Sequence, residues 1–270
     1  GNRATSTFDT LQEAQWEARS LLEELDKGEG RGKTLHAEYS APGGTNYREV
    51  LLKMPEGYGT PSFYSSHWPN DANVLSHFRV TDRTAAALPR HPSYPNDRNI
   101  LLIEEIQSDW HQRGKAEGYG GIGRSLSREG EERSSFARVP DAPLKKTWHE
   151  MTFRRALRMA AEEGKDSVAW VPGMAQAMRY FSTDSPDYPA ALHGMEEFYD
   201  EIIPNYANKF GKKFGAKVES NHIDFPKGGW PGKVWSFPIT PEMREHLLRE
   251  GVSTFAQGGF IDKPLYDRSL

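Results

Sequence analysis

A chain of 270 residues has room for one large core, since single cores stop growing at roughly 250–300 residues. Hydrophobic residues are 36% of it and mean hydropathy is −0.75, so the surface must be very polar. There is no cysteine, which excludes disulfides, thiolate catalysis and thiolate zinc sites and suits a cytoplasmic location; the net charge of −4 lacks the basic excess of a dedicated nucleic-acid binder. The apolar runs are only a few residues long, whereas a spanning helix needs about 20, so a membrane is not expected.

Taken in chain order, the pattern predicts three parts. Residues 1–40 read as an N-terminal helix and linker. Asp9 and Gln12 form a capping box ahead of Leu11, Ala14, Ala18, Leu21, Leu22 and Leu25 at helical spacing. Residues 41–251 read as an α/β domain: a mixed central sheet flanked by helices. Strands are expected over 47–54, 73–80 and 99–108. The last carries the nearly continuous apolar run Ile100, Leu101, Leu102, Ile103, Ile106, which suits an inner strand buried on both faces. From 112 to 138 Gly, Arg, Ser and Glu dominate, and a mobile loop or lid is expected.

Asp141 and Pro143 then read as a helix start, followed by the apolar face of Trp148, Met151, Ala156, Leu157 and Ala160. A strand over 166–171, a helix over 174–180 and a Pro/Ser/Asp loop over 182–190 follow. Phe198 to Phe210 mark a helix bent at Pro204, and 233–239 a last strand. Thr240, Pro241 and Glu242 cap a helix running to Glu250. Residues 252–270 form a tail without periodicity.

The segment Glu104-Glu105-Ile106-Gln107-Ser108-Asp109-Trp110-His111 is the leading candidate site. Strict alternation puts Glu105, Gln107 and Asp109 on one face and Glu104 and Ser108 on the other. So many polar groups at the end of a buried strand are costly unless paired or used. Glu104, Glu105, Gln107, Asp109, His111 and His77 are therefore the catalytic candidates; a fixed salt-bridge network is the structural alternative. His67 and Arg79 come from the neighbouring segment. Asp109-x-His111 with His67 or His77 lacks a recognisable metal-ligand spacing, so no metal is expected. Lys145, Lys146 and Thr147 lie near a helix start, where backbone N–H groups and the helix dipole favour an anion, such as the phosphate of a cofactor.

Two resemblances bear on function. Tyr47-Arg-Glu-Val-Leu-Leu, Asn73-Val-Leu-Ser-His-Phe-Arg79, Ile103-Glu-Glu-Ile-Gln-Ser-Asp-Trp-His111, Pro143-Leu-Lys-Lys-Thr-Trp-His149 and Ile239-Thr-Pro-Glu-Met-Arg244 resemble an uncharacterised domain of large polyvalent phage and prophage proteins, over about residues 45–250. That resemblance implies a phage origin and delivery with phage DNA into a host cell. The order of elements is also similar to the GNAT superfamily of N-acyltransferases. This second resemblance implies that the strand ending near Ser108 lines acetyl-CoA or another acyl-CoA. Lys145, Lys146 and Thr147 would hold its phosphates, and Glu104, Glu105 or His111 would deprotonate an amine on a host protein or other macromolecular acceptor. Leu144-Lys-Lys-Thr-Trp148 stands where that superfamily has its Gly-containing pyrophosphate loop. An ADP-ribosyltransferase-like enzyme, with Arg48 or Arg79 on a pyrophosphate, and a non-catalytic virion or ejected domain are the alternatives.

Overall fold

The computed structural model describes residues 34–54, 62–84, 99–120, 123–126, 132–135, 139–223, 225, 232–250 and 267–268. The helix expected within 1–40 lies outside them up to residue 33, as does the tail except for 267–268.

In chain order the elements are β1 (Thr45–Lys53), β2 (Val74–Arg83), β3 (Ile100–Gln107), α1 (Asp109–Glu117), a ribbon of β4 (Gly123–Leu126) and β5 (Glu132–Ser135), and α2 (Trp148–Glu162). Then come β6 (Ser167–Trp170), α3 (Gly173–Tyr180), α4 (Tyr188–Glu196), a π-helical turn (Glu197–Ile202), α5 (Ile203–Gly211), β7 (Glu219–His222), β8 (Lys233–Pro238), α6 (Pro241–Glu250) and β9 (Asp267–Arg268). The main sheet runs β7-β8-β6-β3-β2-β1, with the two residues of β9 added at the β1 edge. All neighbours are antiparallel except β3 and β6. Their parallel pairing is reached through the α2 crossover, since parallel strands cannot be joined by a hairpin. The inner position expected for β3 is what the sheet shows.

One face of the sheet is apolar. Val50, Leu52, Phe78, Val80, Leu101, Ile103 and Ile106 pack with Met151, Phe153, Ala156, Leu157 and Ala160 of α2 in the principal core. Each fully buried large side chain there contributes roughly 1.5–3 kcal/mol. The opposite face is divided. Toward β6 and β8 it is apolar, with Ile100, Leu102, Ala169, Val171 and Val234. Over β1, β2 and β3 it buries charge instead: Glu49, Arg79, Arg83 and Glu104 are all almost inaccessible.

A β-bulge creates this charged surface. Arg79 pairs with Glu105, but Val80 pairs with Ile103, so Glu104 is the extra residue. A bulge resets the alternation of side chains. Glu104 reaches Thr81 and Arg83, and Glu105 reaches Arg79, all odd-numbered residues of β2 and hence on one face. The sequence expectation of opposite faces is corrected: Glu104, Glu105 and Gln107 lie together, while Ser108 turns to the other side.

Other expectations are also corrected. Helix α2 begins at Trp148, not Asp141, because Leu144 adopts a left-handed conformation (φ 58°) that interrupts the helical path. Residues 112–117, expected as loop, belong to α1, whose first turn is capped by the Ser108 hydroxyl accepting from His111 N. Residues 188–190 start α4 rather than ending a loop. The irregularity expected at Pro204 is the π turn before it, with Pro204 in the first turn of α5. Thr240 caps α6 as expected, accepting from Met243 N at 3.2 Å.

Candidate functional site

The bulge divides the candidate segment into unlike parts. Glu104 is fully buried and fully engaged. Its carboxylate accepts from Ser40 Oγ (3.1 Å), Ala41 N (2.7 Å) and Thr81 Oγ1 (2.8 Å) and pairs with Arg83 (3.4 Å) and Arg179 (3.6 Å). Arg83 in turn donates to the carbonyls of Ala41 and Pro42 at 2.6 Å each. Both oxygens of Glu104 are engaged and the group is inaccessible, so it serves as an anchor that ties residues 40–42 to the sheet.

Glu105, Gln107 and Asp109 form the open part. Arg79 Nε donates to Glu105 at 2.7 Å and Arg79 NH2 donates to Tyr180 OH at 2.6 Å; Tyr180 OH donates to the other oxygen of Glu105 at 2.7 Å. Burial alone would raise the Glu105 pKa, but Arg79 and the Tyr180 hydrogen bond outweigh it and hold the carboxyl below its ordinary value. Burial, with the Glu105 charge, raises the Tyr180 phenol.

At the start of α1, Asp109 receives His67. The imidazole Nδ1 lies 2.9 Å from each carboxylate oxygen, and Gln107 Nε2 donates to Asp109 Oδ1 at 2.6 Å. Burial works to raise the Asp109 pKa, but hydrogen bonds from His67 and Ser65 win and lower it. The same His67–Asp109 hydrogen bond is the main reason the His67 pKa is raised. His67 keeps 44% of its side chain exposed against 11% for Asp109. The arrangement is one that can orient an imidazole: a buried carboxylate fixes Nδ1 of a ring that is only partly covered. His77 backs the group from within β2. It accepts from Trp68 Nε1 at 3.0 Å, and complete burial depresses its pKa to about 4, so it is neutral at neutral pH.

The remaining candidates lie elsewhere. Ser108 donates to Leu75 O at 2.5 Å besides capping α1, so both roles are structural. His111 is two positions along the helix from Asp109 and faces away from it. Its Nδ1 lies 2.7 Å from Tyr119 OH and its ring stacks on Trp148; burial and then Lys145 push its pKa down to about 4. Lys145 pairs with Asp141 at 2.5 Å and lies over the Tyr119 ring. Lys146 is exposed, and Thr147 stands at the N-cap of α2 with no side-chain cap bond. The structure thus joins Glu105, Gln107, Asp109 and His77, and sets Glu104, Ser108, His111 and the Lys145–Thr147 turn apart.

Beyond Ile103 and Trp170 the β3–β6 pairing stops. The freed backbone of β3 is taken up internally. Gln176 and Arg179 donate to Glu104 O at 2.6 and 3.1 Å, and the Tyr199 hydroxyl bridges Ile106 N and O at 3.1 and 3.2 Å.

His67 and Tyr180 carry the open part of the site, and neither was among the leading sequence candidates. His67 is 42 residues from Asp109 in the chain, and the only signal was a histidine in a loop before a strand. Among the described residues no group of three His, Asp or Glu side chains is placed to hold a metal, and no helix is long and apolar enough to cross a membrane. No family model, curated protein or solved structure matches the chain. What is established is the class, an α/β domain with a mixed open sheet.

Proposed function

We propose that the chain is a GNAT-like transferase of a phage- or prophage-encoded protein, using His67 as general base toward an amine on a host macromolecule. One observation carries this reading: His67 is held through Nδ1 by both oxygens of Asp109 on a side chain that stays 44% exposed, and the charges of Glu105 and Arg79 act on it. The sheet supports it, because the site sits where two paired strands part company at the end of an inner strand.

Asp109 fixes the tautomer with the proton on Nδ1, so Nε2 is the acceptor for the proton that an attacking amine loses. Arg79 keeps Glu105 ionised, and the Tyr180 hydroxyl, accepting from Arg79 and donating to Glu105, is fixed at the rim. The donor we assign is an acyl-CoA, which when bound supplies an activated acyl group. Lys145, Lys146 and Thr147 would hold its phosphates at the start of a 15-residue helix, with Lys145 released from Asp141 and side-chain charge rather than free backbone amides as the attraction, since Thr147 N and Trp148 N already donate to Leu144 O. The freed backbone of β3 does not fit its arm, because Tyr199, Gln176 and Arg179 already satisfy it. The arm must therefore take another route, and no step is drawn along that strand.

The test is acetyl transfer from acetyl-CoA to a lysine-containing peptide, read by thiol release and peptide mass. The wild type should transfer, and His67→Ala should lose about a hundredfold or more with its melting temperature retained. Equal rates in the two proteins, or no transfer by the wild type, reject the reading. A scaffold role in a virion or ejected protein is the second reading, favoured by the internally satisfied strand; it predicts no transfer at all.

A further inference from the structure

Residues 34–42 lie across the charged face and are held almost wholly through their backbone. Both oxygens of the buried Glu49 accept from successive amides, Leu35 N at 3.0 Å and His36 N at 2.7 Å. Arg79 NH1 donates to the carbonyl of the same His36 at 3.2 Å. That guanidinium also holds Glu105 and Tyr180, so the segment's seat and the candidate site share a residue. Further along, Glu104 and Arg83 grip residues 40–42, where Ala41 is buried. The Leu35 and Tyr39 side chains are about half exposed.

The His36 side chain is the informative part. Its ring meets Trp68 edge-on at 5.1 Å and His67 at 5.7 Å between centroids. Its Nε2 is buried yet has no hydrogen-bond partner. A buried polar atom without a partner is costly, and such atoms mark places built for something else. Here a side-chain nitrogen is delivered beside the proposed base by a backbone clamp that reads amides and carbonyl, while the neighbouring Leu35 side chain points to solvent.

We propose that Glu49 and Arg79 form a binding seat for a polypeptide backbone, occupied in cis by residues 34–36 at the entry to the 3-10 turn Ala37–Tyr39, and that the acceptor of the reaction is a polypeptide segment that displaces them. His36 holds the place of the acceptor residue, whose side-chain amine would meet His67. The substrate class rests on the proposed transferase reading; the seat itself does not. Because the resident segment is tethered, it competes at a high effective concentration, and a free peptide binds well only when the tether is loosened. The hinge is at Ser40, where the anchor to Glu104 begins.

The experiment uses the full chain and a fluorescein-labelled peptide with the sequence of residues 34–39, with lysine in place of the histidine. Binding is read by fluorescence anisotropy. His36→Pro removes one of the two amides that donate to Glu49 and cannot adopt the observed φ of −129°, so it should free the outer segment. Its affinity for the peptide should exceed that of the wild type by about tenfold or more. Adding Glu49→Gln should abolish that gain. Hydrogen exchange reports the state of the segment: the Leu35 amide should become fast while the Ala41 amide stays protected. Should Ala41 lose protection as well, Leu35→Pro carries the same test with a smaller disturbance near the anchor, the His36 amide then standing in for that of residue 35 as the exchange reporter. Equal affinity in wild type and loosened variant, with Leu35 fast and Ala41 protected, overturns the seat. Peptide binding without acetyl transfer would leave the seat standing and reject only the transferase reading. Transfer to free amines by a protein that never binds the peptide would do the reverse.

Discussion

Glu104 and Glu105 are neighbours in the chain and share one face of the sheet, yet their surroundings have opposite character. Around Glu104 every oxygen is engaged by the protein itself, and the charges of Arg83 and Arg179 close the group from solvent. Around Glu105 and Asp109 the partners are Tyr180 and His67, both of which reach the surface. The lesson is that a cluster of polar residues at a strand end is not one unit. A single extra residue in β3 gives one carboxylate an interior task and leaves the next at the edge of an accessible site.

The largest effect should come from the closed half. Glu104→Gln leaves Arg83 and Arg179 buried beside a neutral amide, and breaking a buried pair in this way costs about 3–5 kcal/mol. Urea unfolding should show that loss, and a change under about 1 kcal/mol would erase the distinction between the two halves. The next largest is a pH effect. His77 and His111 have pKa values depressed to about 4 from an ordinary 6.5, so the unfolded chain binds protons there that the folded chain refuses. Their contribution is complete above pH 6.5 and is lost as pH falls toward 4, by roughly 3 kcal/mol for the fully buried His77 and by less for His111, which is less deeply buried. Unfolding curves between pH 7 and 4.5 should show it, and His111→Gln should flatten the slope; a pH-independent stability would count against the buried placement of both rings.

His67 has the opposite sign. Its pKa is raised, so its pair with Asp109 stabilises most below pH 6.5 and fades as pH rises through the folded value. Because His67 is nearly half exposed, the effect on stability is small. Asp109→Asn should therefore cost less than Glu104→Gln, and a larger cost would make Asp109 the anchor instead. The smallest effect belongs to the turn before α2. Lys145 and Asp141 are both well exposed, and Lys145→Ala should change stability by less than about 1 kcal/mol. If the turn holds phosphates, changing Lys145 and Lys146 together should still weaken acyl-CoA binding, less so at high salt; unchanged affinity by calorimetry would remove that assignment.

Much of the frame was legible in the residues. The run Ile100 to Ile103 announces an inner strand because both of its faces are apolar, and Thr240 announces α6 by its cap. The errors have definite physical causes. Alternation fails at Glu104 because a bulge leaves no mark in side-chain chemistry alone. The polar strand β7, Glu219–His222, is an edge strand with exposed residues and no periodicity to detect. Helix α1 was read in part as loop because residues 112–117 are polar and include Gly114. That glycine is required by the close approach of the Tyr119 ring, which lies 2.1 Å from where a Cβ would stand. The His67–Asp109 pairing joins a loop to a helix start through tertiary structure, and local pattern carries no trace of it.

Nitrogen-15 NMR of the histidine side chains across a pH titration tests, without any substrate, whether Asp109 holds the His67 ring through Nδ1. Neutral His67 should carry its proton on Nδ1, its pKa should lie above the ordinary 6.5, and Asp109→Asn should bring the pKa down. A proton on Nε2, or a pKa that is not raised and does not respond to Asp109→Asn, would contradict it.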